Sequence, residues 1–357
     1  MPSISDLAGQ SLIVGFEGTT LDAASIAALS DLRPAGFILF SRNLKERTQI
    51  RELMEDLRYL FTPRLVCIDQ EGGRVDRLRA VFPPFPSPES LALSREDQIF
   101  HQYGRLTGEV LRAFGFNVNF APVLDLRFND ADNALRSRYL GRDPHQVSVF
   151  AKQYLTGLQS AEVLGCGKHF PGLGRATTDS HIELPSIDAS PDQLLSEDLL
   201  PYGRLKEELR MVMINHAAYT QLEGTEPNVE NRENKTAVPA SCAPEVYRLL
   251  RQNLRYSGIA LTDDLDMGAV HQSIPRERIA PGCFLAGADL LIIGKDLDFA
   301  RLCRDQLAKL FERESLAQEA RRRAENLNAL PPVPAIQLES VAALERAFVD
   351  WKTTLGL

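Results

Sequence analysis

The chain is poor in features that would place it outside the ordinary soluble globular proteins. Its five cysteines, Cys67, Cys166, Cys242, Cys283 and Cys303, are odd in number and scattered, with no CxxC pair. Neither a disulfide framework nor a clustered zinc site is signalled, and no metal site is expected. No apolar run approaches the ~20 residues that cross a bilayer, and the start Met1-Pro2-Ser3-Ile4-Ser5-Asp6 lacks the basic and apolar parts of a secretory signal. A cytoplasmic location without a membrane partner is the expectation. An excess of positive charge is also missing: net charge is -8 and the pI is near 5.4, which leaves no broad footprint for nucleic acid. The local cluster Arg321-Arg322-Arg323 has glutamates nearby and reads as a solvated helix face. Gly15-Phe16-Glu17-Gly18 and Gly72-Gly73-Arg74 have neither dinucleotide nor P-loop spacing, so no cofactor is expected.

What the chain does contain is a repeat of short apolar runs. Leu12 to Phe16, Gly36 to Phe40, Leu65 to Ile68, Val118 to Val123, Val163 to Gly167, Met211 to Ile214, Gly258 to Leu261 and Leu290 to Ile293 are mostly continuous, the pattern of parallel strands covered on both faces. Helical patterns alternate with them: Leu21 to Leu32, Lys45 to Phe61, Glu89 to Phe114, Pro144 to Ala161, Pro191 to Leu205 and Pro244 to Leu254. About eight such alternations predict an α/β fold, a single TIM-like (β/α)8 barrel, rather than an open doubly wound sheet. No proline-rich linker interrupts it before Leu330-Pro331-Pro332-Val333-Pro334, and Ser340 to Trp351 has the pattern of one amphipathic helix. One domain is expected over residues 1–357, with the barrel in 1–330 and a docked C-terminal helix in 331–357.

In a parallel barrel, polar residues at the carboxyl ends of strands converge on one face. Asp69, Lys168, His169, His216 and Asp263 all follow predicted strands. Each alone has a plainer explanation, a helix cap for an aspartate or a hydrogen-bonded structural role for a histidine. Their recurrence on independent strands points to a site. In Thr262-Asp263-Asp264-Leu265-Asp266, neighbouring carboxylates on an extended segment point apart. Asp263 can therefore face the mouth as a nucleophile for an acetal carbon, while Asp264 and Asp266 serve loop and cap. Asp179 precedes His181 by two residues in a loop with Gly172 and Gly174, and the carboxylate can orient the imidazole for general acid and base work. Asp69-Gln70-Glu71-Gly72-Gly73-Arg74-Val75-Asp76-Arg77 supplies the acceptors and forked donors that sugar hydroxyls need. Glu71 and Arg74 could equally form an internal salt bridge.

Together these segments resemble the β-N-acetylglucosaminidases of glycoside hydrolase family 3, the short single-domain bacterial type that trims peptidoglycan fragments. Asp69 to Arg77 looks like the family's Asp-Gln-Glu-Gly-Gly-Arg-Val segment, Lys168 to Gly174 like its Lys-His-Phe-Pro-Gly segment, and Thr262-Asp263 like its nucleophile strand. The likeness runs from Gly36 to Asp289. It implies a retaining exo-β-N-acetylglucosaminidase with Asp263 as nucleophile and His181 as acid/base partnered by Asp179. Asp69, Arg77, Arg138, Lys168 and His169 would contact the N-acetylglucosamine unit of a muropeptide, the one partner expected of a monomer. Two positions depart from the pattern: Arg136 stands where the family's Ile-Gly-x-Arg has glycine, and Leu173 where many members have histidine. Three rival readings are a β-glucosidase of the same family, a catalytically silent sugar-binding barrel, and a metal hydrolase using His169, His181, His216 and Asp263. The last has no HxH or HExxH spacing to support it.

Overall fold

A computed structural model describes residues 2–94, 96–128, 135–176, 184–222 and 238–357. Eight parallel strands close into a barrel: β1 (Leu12–Val14), β2 (Gly36–Leu39), β3 (Leu65–Ile68), β4 (Val118–Asn119), β5 (Leu164–Phe170), β6 (Met211–Ile214), β7 (Ile259–Asp264) and β8 (Leu290–Ile293). The strands lie in chain order around the ring, with β1 paired to both β2 and β8. The predicted (β/α)8 architecture is the observed one.

The continuous apolar strands are explained by two packing layers. Ile13, Ile38, Leu65, Cys67, Leu164, Cys166, Met211, Met213, Ile259, Leu261, Leu290 and Ile292 fill the barrel interior. Their immediate neighbours, such as Val14, Val66, Val212, Ala260 and Leu291, pack outward against the helices. This is the two-residue alternation of a strand with apolar groups on both faces.

Helices match prediction where caps are clear. Asp22 accepts from Ser25 N at 2.7 Å ahead of Ala23–Leu32, and Asp143 accepts from His145 N at 3.0 Å ahead of Pro144–Ser160. The expected helix Glu89 to Phe114 is instead two, Pro88–Ala92 and Asp97–Ala113. Ser94 ends the first by turning its hydroxyl back to the Leu91 carbonyl at 2.7 Å, a local bond that competes with helix continuation. The patterns at 191–205 and 244–254 each contain a π turn, Leu194–Asp198 and Leu249–Asn253. A short parallel pair, Ser186–Ile187 with Ala218–Tyr219, was not anticipated.

The C-terminal helix, expected at Ser340 to Trp351, spans Leu338–Thr354. Phe348 lies 5.3 Å from Phe82 and 4.6 Å from Phe85, and Trp351 stacks on Tyr103 while donating to Gln102 Oε1 at 2.9 Å. Of the Arg321–Arg323 cluster, Arg322 is a solvated helix residue paired with Glu319 at 2.6 Å. Arg323 differs from the prediction: it folds over Phe284 and donates to the Phe284 and Ala288 carbonyls.

Candidate active site

The interior alternation continues past the apolar layers and delivers the polar groups. Along β3 the series Leu65, Cys67 leads to Asp69; along β5, Leu164, Cys166 leads to Lys168; along β7, Ile259, Leu261 leads to Asp263. Each is the next inward position at the carboxyl end of its strand. Lys168 and His169 lie within β5, and Asp263 within β7, whereas the sequence pattern ended both strands before them. Register shifts explain the extra length. Between Gly167 and Phe170, β5 spends three steps where β6 spends two, and β7 bulges against β8 between Leu261 and Asp264. Bulges of this kind re-aim side chains at barrel rims.

Lys168 is only 2% exposed, yet charged partners surround it: its Nζ is 2.6 Å from Asp69 Oδ1 and 2.6 Å from Glu71 Oε1. Burial alone would lower its pKa, but Asp69 and Glu71 outweigh that and hold it above the usual lysine value. Glu71 also takes a two-pronged bond from Arg138, Nε to Oε2 at 2.7 Å and Nη2 to Oε1 at 2.9 Å. Against the raising effect of burial, Arg138 and Lys168 keep this carboxyl far below the ordinary glutamate range. Glu71 is thus the hub of the site, which settles the sequence-level ambiguity in favour of an internal ion pair. Arg77 approaches Asp69 at 3.8 Å.

Arg138 Nη2 also lies 3.1 Å from His169 Nε2. Guanidinium has no acceptor, so Nε2 must accept and the ring proton of a neutral His169 sits on Nδ1. That proton points at Asp125 Oδ2, 2.6 Å away. Asp125, fully buried, also accepts from His169 N at 3.2 Å and Leu173 N at 2.6 Å. It therefore fixes the ring and ties down the Lys168 to Gly174 segment. Sequence reading passed over Asp125 because Leu124 and Leu126 flank it, although it also follows a strand, the short β4. Leu173, one of the two departures, is buried, and it is its backbone that this contact uses. At the other departure, Arg136 has φ 27°, the left-handed region where glycine is at ease, and Arg138 two residues on still reaches Glu71 and His169.

Asp263 accepts from Asp264 N at 2.8 Å through Oδ1. Burial tends to raise its pKa, but His169, His216, the Asp264 N–H and Lys168 together bring it below the ordinary aspartate value. A carboxylate held ionised at a barrel mouth, with the Lys168 ammonium nearby, can serve as a nucleophile. Asp264 behaves differently: burial first, then Asp266, pushes it up to about 7. It braces the loop, accepting from Asp266 N at 3.0 Å and Gly294 N at 2.8 Å. Gly294 has to be glycine there, since a Cβ would fall 2.1 Å from Asp264 Oδ2. Asp266 accepts from Lys295 N and Asp296 N. His216 is buried between Ser241 Oγ, 2.9 Å from Nδ1, and the Asp264 carbonyl, 3.1 Å from Nε2. Asp179 and His181 lie outside the described residues.

Among the described residues no three His, Cys, Asp or Glu side chains are grouped to hold a metal. A recess of 640 Å³ lined by Arg248, Arg251, Glu319 and Arg323 opens beside Ser257 and Gly287, which precede β7 and β8. It is therefore at the opposite end of the barrel, away from Asp69, Lys168 and Asp263.

A parallel barrel with an inward-facing aspartate beside a cradle of charged hydrogen-bonding groups has the parts that a glycoside hydrolase requires. Residues 9–326 match the glycosyl hydrolase family 3 N-terminal domain, and the chain belongs to that family. It is 30% identical over 301 residues to a protein of Pseudomonas aeruginosa (strain LESB58) named beta-hexosaminidase, covering 84% of this chain and 87% of that one. A beta-hexosaminidase of Haemophilus ducreyi is 30% identical over 358 residues, covering 96% and 99%. Among solved structures, the family 3 beta-N-acetylglucosaminidase of Paenibacillus sp. str. FPU-7 superposes with TM-score 0.83 at 26% identity, covering 97% of this chain, which spans 63% of that protein. A family 3 glycosyl hydrolase of Mycobacterium smegmatis has TM-score 0.80 at 29% identity, covering 93% and 98%.

Proposed function

We propose that the protein is a retaining exo-β-N-acetylglucosaminidase that removes terminal N-acetylglucosamine from peptidoglycan fragments. The observation that carries this reading is Asp263, the inward-facing aspartate at the carboxyl end of β7, with the Asp264 N–H on Oδ1 and its carboxyl held below the ordinary aspartate value. Its carboxylate attacks the anomeric carbon from one face of the sugar. The leaving oxygen takes a proton, and a glycosyl-aspartate forms; water then reaches the same carbon from the vacated face and releases the sugar with its configuration retained. We assign the proton transfer to His181, oriented by Asp179, on the sequence resemblance. Asp69, Arg77, Lys168, His169 and Arg138 are the proposed contacts to the sugar. The Asp69–Lys168 pair presents an acceptor and a donor side by side, the arrangement that grips adjacent hydroxyls. Relatives named beta-hexosaminidase support the N-acetylhexosamine preference over a β-glucoside. A reducing, cytoplasmic location is consistent with five buried, unlinked thiols.

The test compares an aryl β-N-acetylglucosaminide with an aryl β-glucoside, then traps the enzyme with a slow fluorinated N-acetylglucosaminyl donor and maps the modified peptide. The first substrate alone should turn over, and the label should sit on Asp263. Asp263→Ala should lower kcat by at least about 10³-fold with an unchanged melting temperature. Undiminished hydrolysis by that variant refutes the assignment.

A further inference from the structure

We propose that Ser241 is a positioning residue for the nucleophile strand, acting by holding the His216 ring, through Nδ1, against the Asp264 carbonyl. The inference rests on the assignment of Asp263 as nucleophile. It starts from the Asp264 carbonyl, which lies 3.1 Å from His216 Nε2. A carbonyl has no proton to give, so this contact is a hydrogen bond only when Nε2 carries the hydrogen. In a neutral ring Nδ1 is then a bare lone pair. Ser241 Oγ meets it at 2.9 Å, and a hydroxyl is able to donate there.

Both side chains are buried without measurable exposure, so water cannot replace the hydroxyl. With Ser241 donating, the Nε2–H form has both nitrogens satisfied. The other tautomer would turn the Nε2 lone pair onto the carbonyl lone pairs, a repulsive contact in a site where unpaired polar atoms are costly.

The Asp264 residue that His216 grips is the one that orients Asp263. Its N–H donates to Asp263 Oδ1 at 2.8 Å, and its own carboxylate is pinned by Gly294 N and Asp266 N. The main chain at Asp264 is thus held on three sides, and its N–H holds one oxygen of the nucleophile in place. Among the described residues no hydrogen bond is recorded to the other oxygen, Oδ2, the atom suited to attack. Ser241 comes from a short 3₁₀ turn, Ala240–Cys242, remote in sequence from β7. It touches neither the nucleophile nor the sugar-binding cradle.

Side-chain ¹⁵N spectra of the full-length enzyme at mildly alkaline pH, with His216 identified by its absence in His216→Gln, read the tautomer directly. The wild-type ring should be protonated on Nε2 only, and Ser241→Ala should keep that tautomer while moving the Nδ1 resonance to that of an unbonded ring nitrogen. The same substitution should lower kcat about tenfold, the effect of one misplaced hydrogen bond, with KM little changed. In a His216→Gln background, where a side-chain amide donates whatever Ser241 does, Ser241→Ala should cost nothing further. A wild-type ring protonated on Nδ1 or on both nitrogens overturns the proposal. So does an Nδ1 resonance unaltered in Ser241→Ala, or an equal loss of kcat in both backgrounds. If the fluorosugar label maps to a residue other than Asp263, the catalytic assignment fails instead, and the tautomer readout identifies that failure as separate.

Discussion

Replacing Glu71 by Gln keeps the shape of the side chain and removes the charge on which two buried cations converge. Lys168 Nζ and the Arg138 guanidinium both lie within 3 Å of its oxygens, and its side chain is 1% exposed. Breaking a buried ion pair costs about 3–5 kcal/mol, because the abandoned charge stays buried. Asp69 still faces Lys168, so about 4 kcal/mol is a fair expectation for the whole hub. At roughly 2.1 cal/mol/K of unfolding entropy per residue, a chain of this length should lose about 5 °C in melting temperature. Arg138 would lose its anchor and with it the bond to His169 Nε2, so kcat/KM should fall at least about 100-fold. The pH dependence follows from the sign of the shift. Glu71 is held below its ordinary value near 4.5, so its stabilisation is complete above that pH and is lost as pH falls through the depressed value. The gap between wild type and variant should be constant at neutral pH and shrink in acid. Thermal melts from pH 2 to 8, with steady-state kinetics at the neutral end of that range, measure both quantities. A variant that keeps its melting temperature and shows only a raised KM would make Glu71 a direct sugar ligand and refute the hub argument.

Phe348→Ala should destabilise the protein by about 3–5 kcal/mol, because its ring packs against Phe82 and Phe85. We propose that the barrel and C-terminal helix form one folding unit, so the melt should shift as a single transition; a separate low-temperature step would count against that. Asp198, on the π turn, pairs with Arg175 but among the described residues leaves Oδ1 without a partner, and burial pushes its carboxyl up to about 7. Its contribution to stability is fully present below pH 3.8 and is lost as pH rises towards 7, so Asp198→Asn should gain on wild type between pH 5 and 8, by up to about 4 kcal/mol before the lost Arg175 pairing is counted. Urea titrations with equal pH slopes for the two proteins would contradict this.

The barrel was legible because every strand is buried on both faces, which leaves continuous runs such as Leu65 to Ile68 and Leu290 to Ile293 that periodicity can find. Strand ends were less legible. A run was ended at its last apolar residue, but backbone pairing ignores side-chain polarity, so β5 continues through Lys168 and His169 and β7 through Asp263 and Asp264. The break near Ser94 and the π turns at 194–198 and 249–253 were hidden for a related reason. The π turns keep Leu194, Leu199, Leu249 and Leu250 buried, so the apolar pattern runs through them, and the turn at Ser94 lies between two helical stretches.

The residues of the site divide along the same line. Asp69, Lys168 and Asp263 follow from strand arithmetic, each two positions past an interior residue of its own strand. Asp125, Glu71 and Ser241 do not, because their roles depend on partners 44, 67 or 97, and 25 residues away. Glu71 shows why composition could not decide its role. On the sequence it is a carboxylate beside a turn, free to face solvent, sugar or protein. Only the closure of the barrel puts β5 and the 136–138 turn against it, and two cations then claim the oxygens a substrate hydroxyl would have needed. The sequence-visible carboxylate Asp69 has Lys168 on one oxygen and Arg77 at the longer distance of 3.8 Å from the other. Asp69 is therefore the better placed of the two to exchange a protein contact for a sugar hydroxyl, with Glu71 fixing the cations behind it.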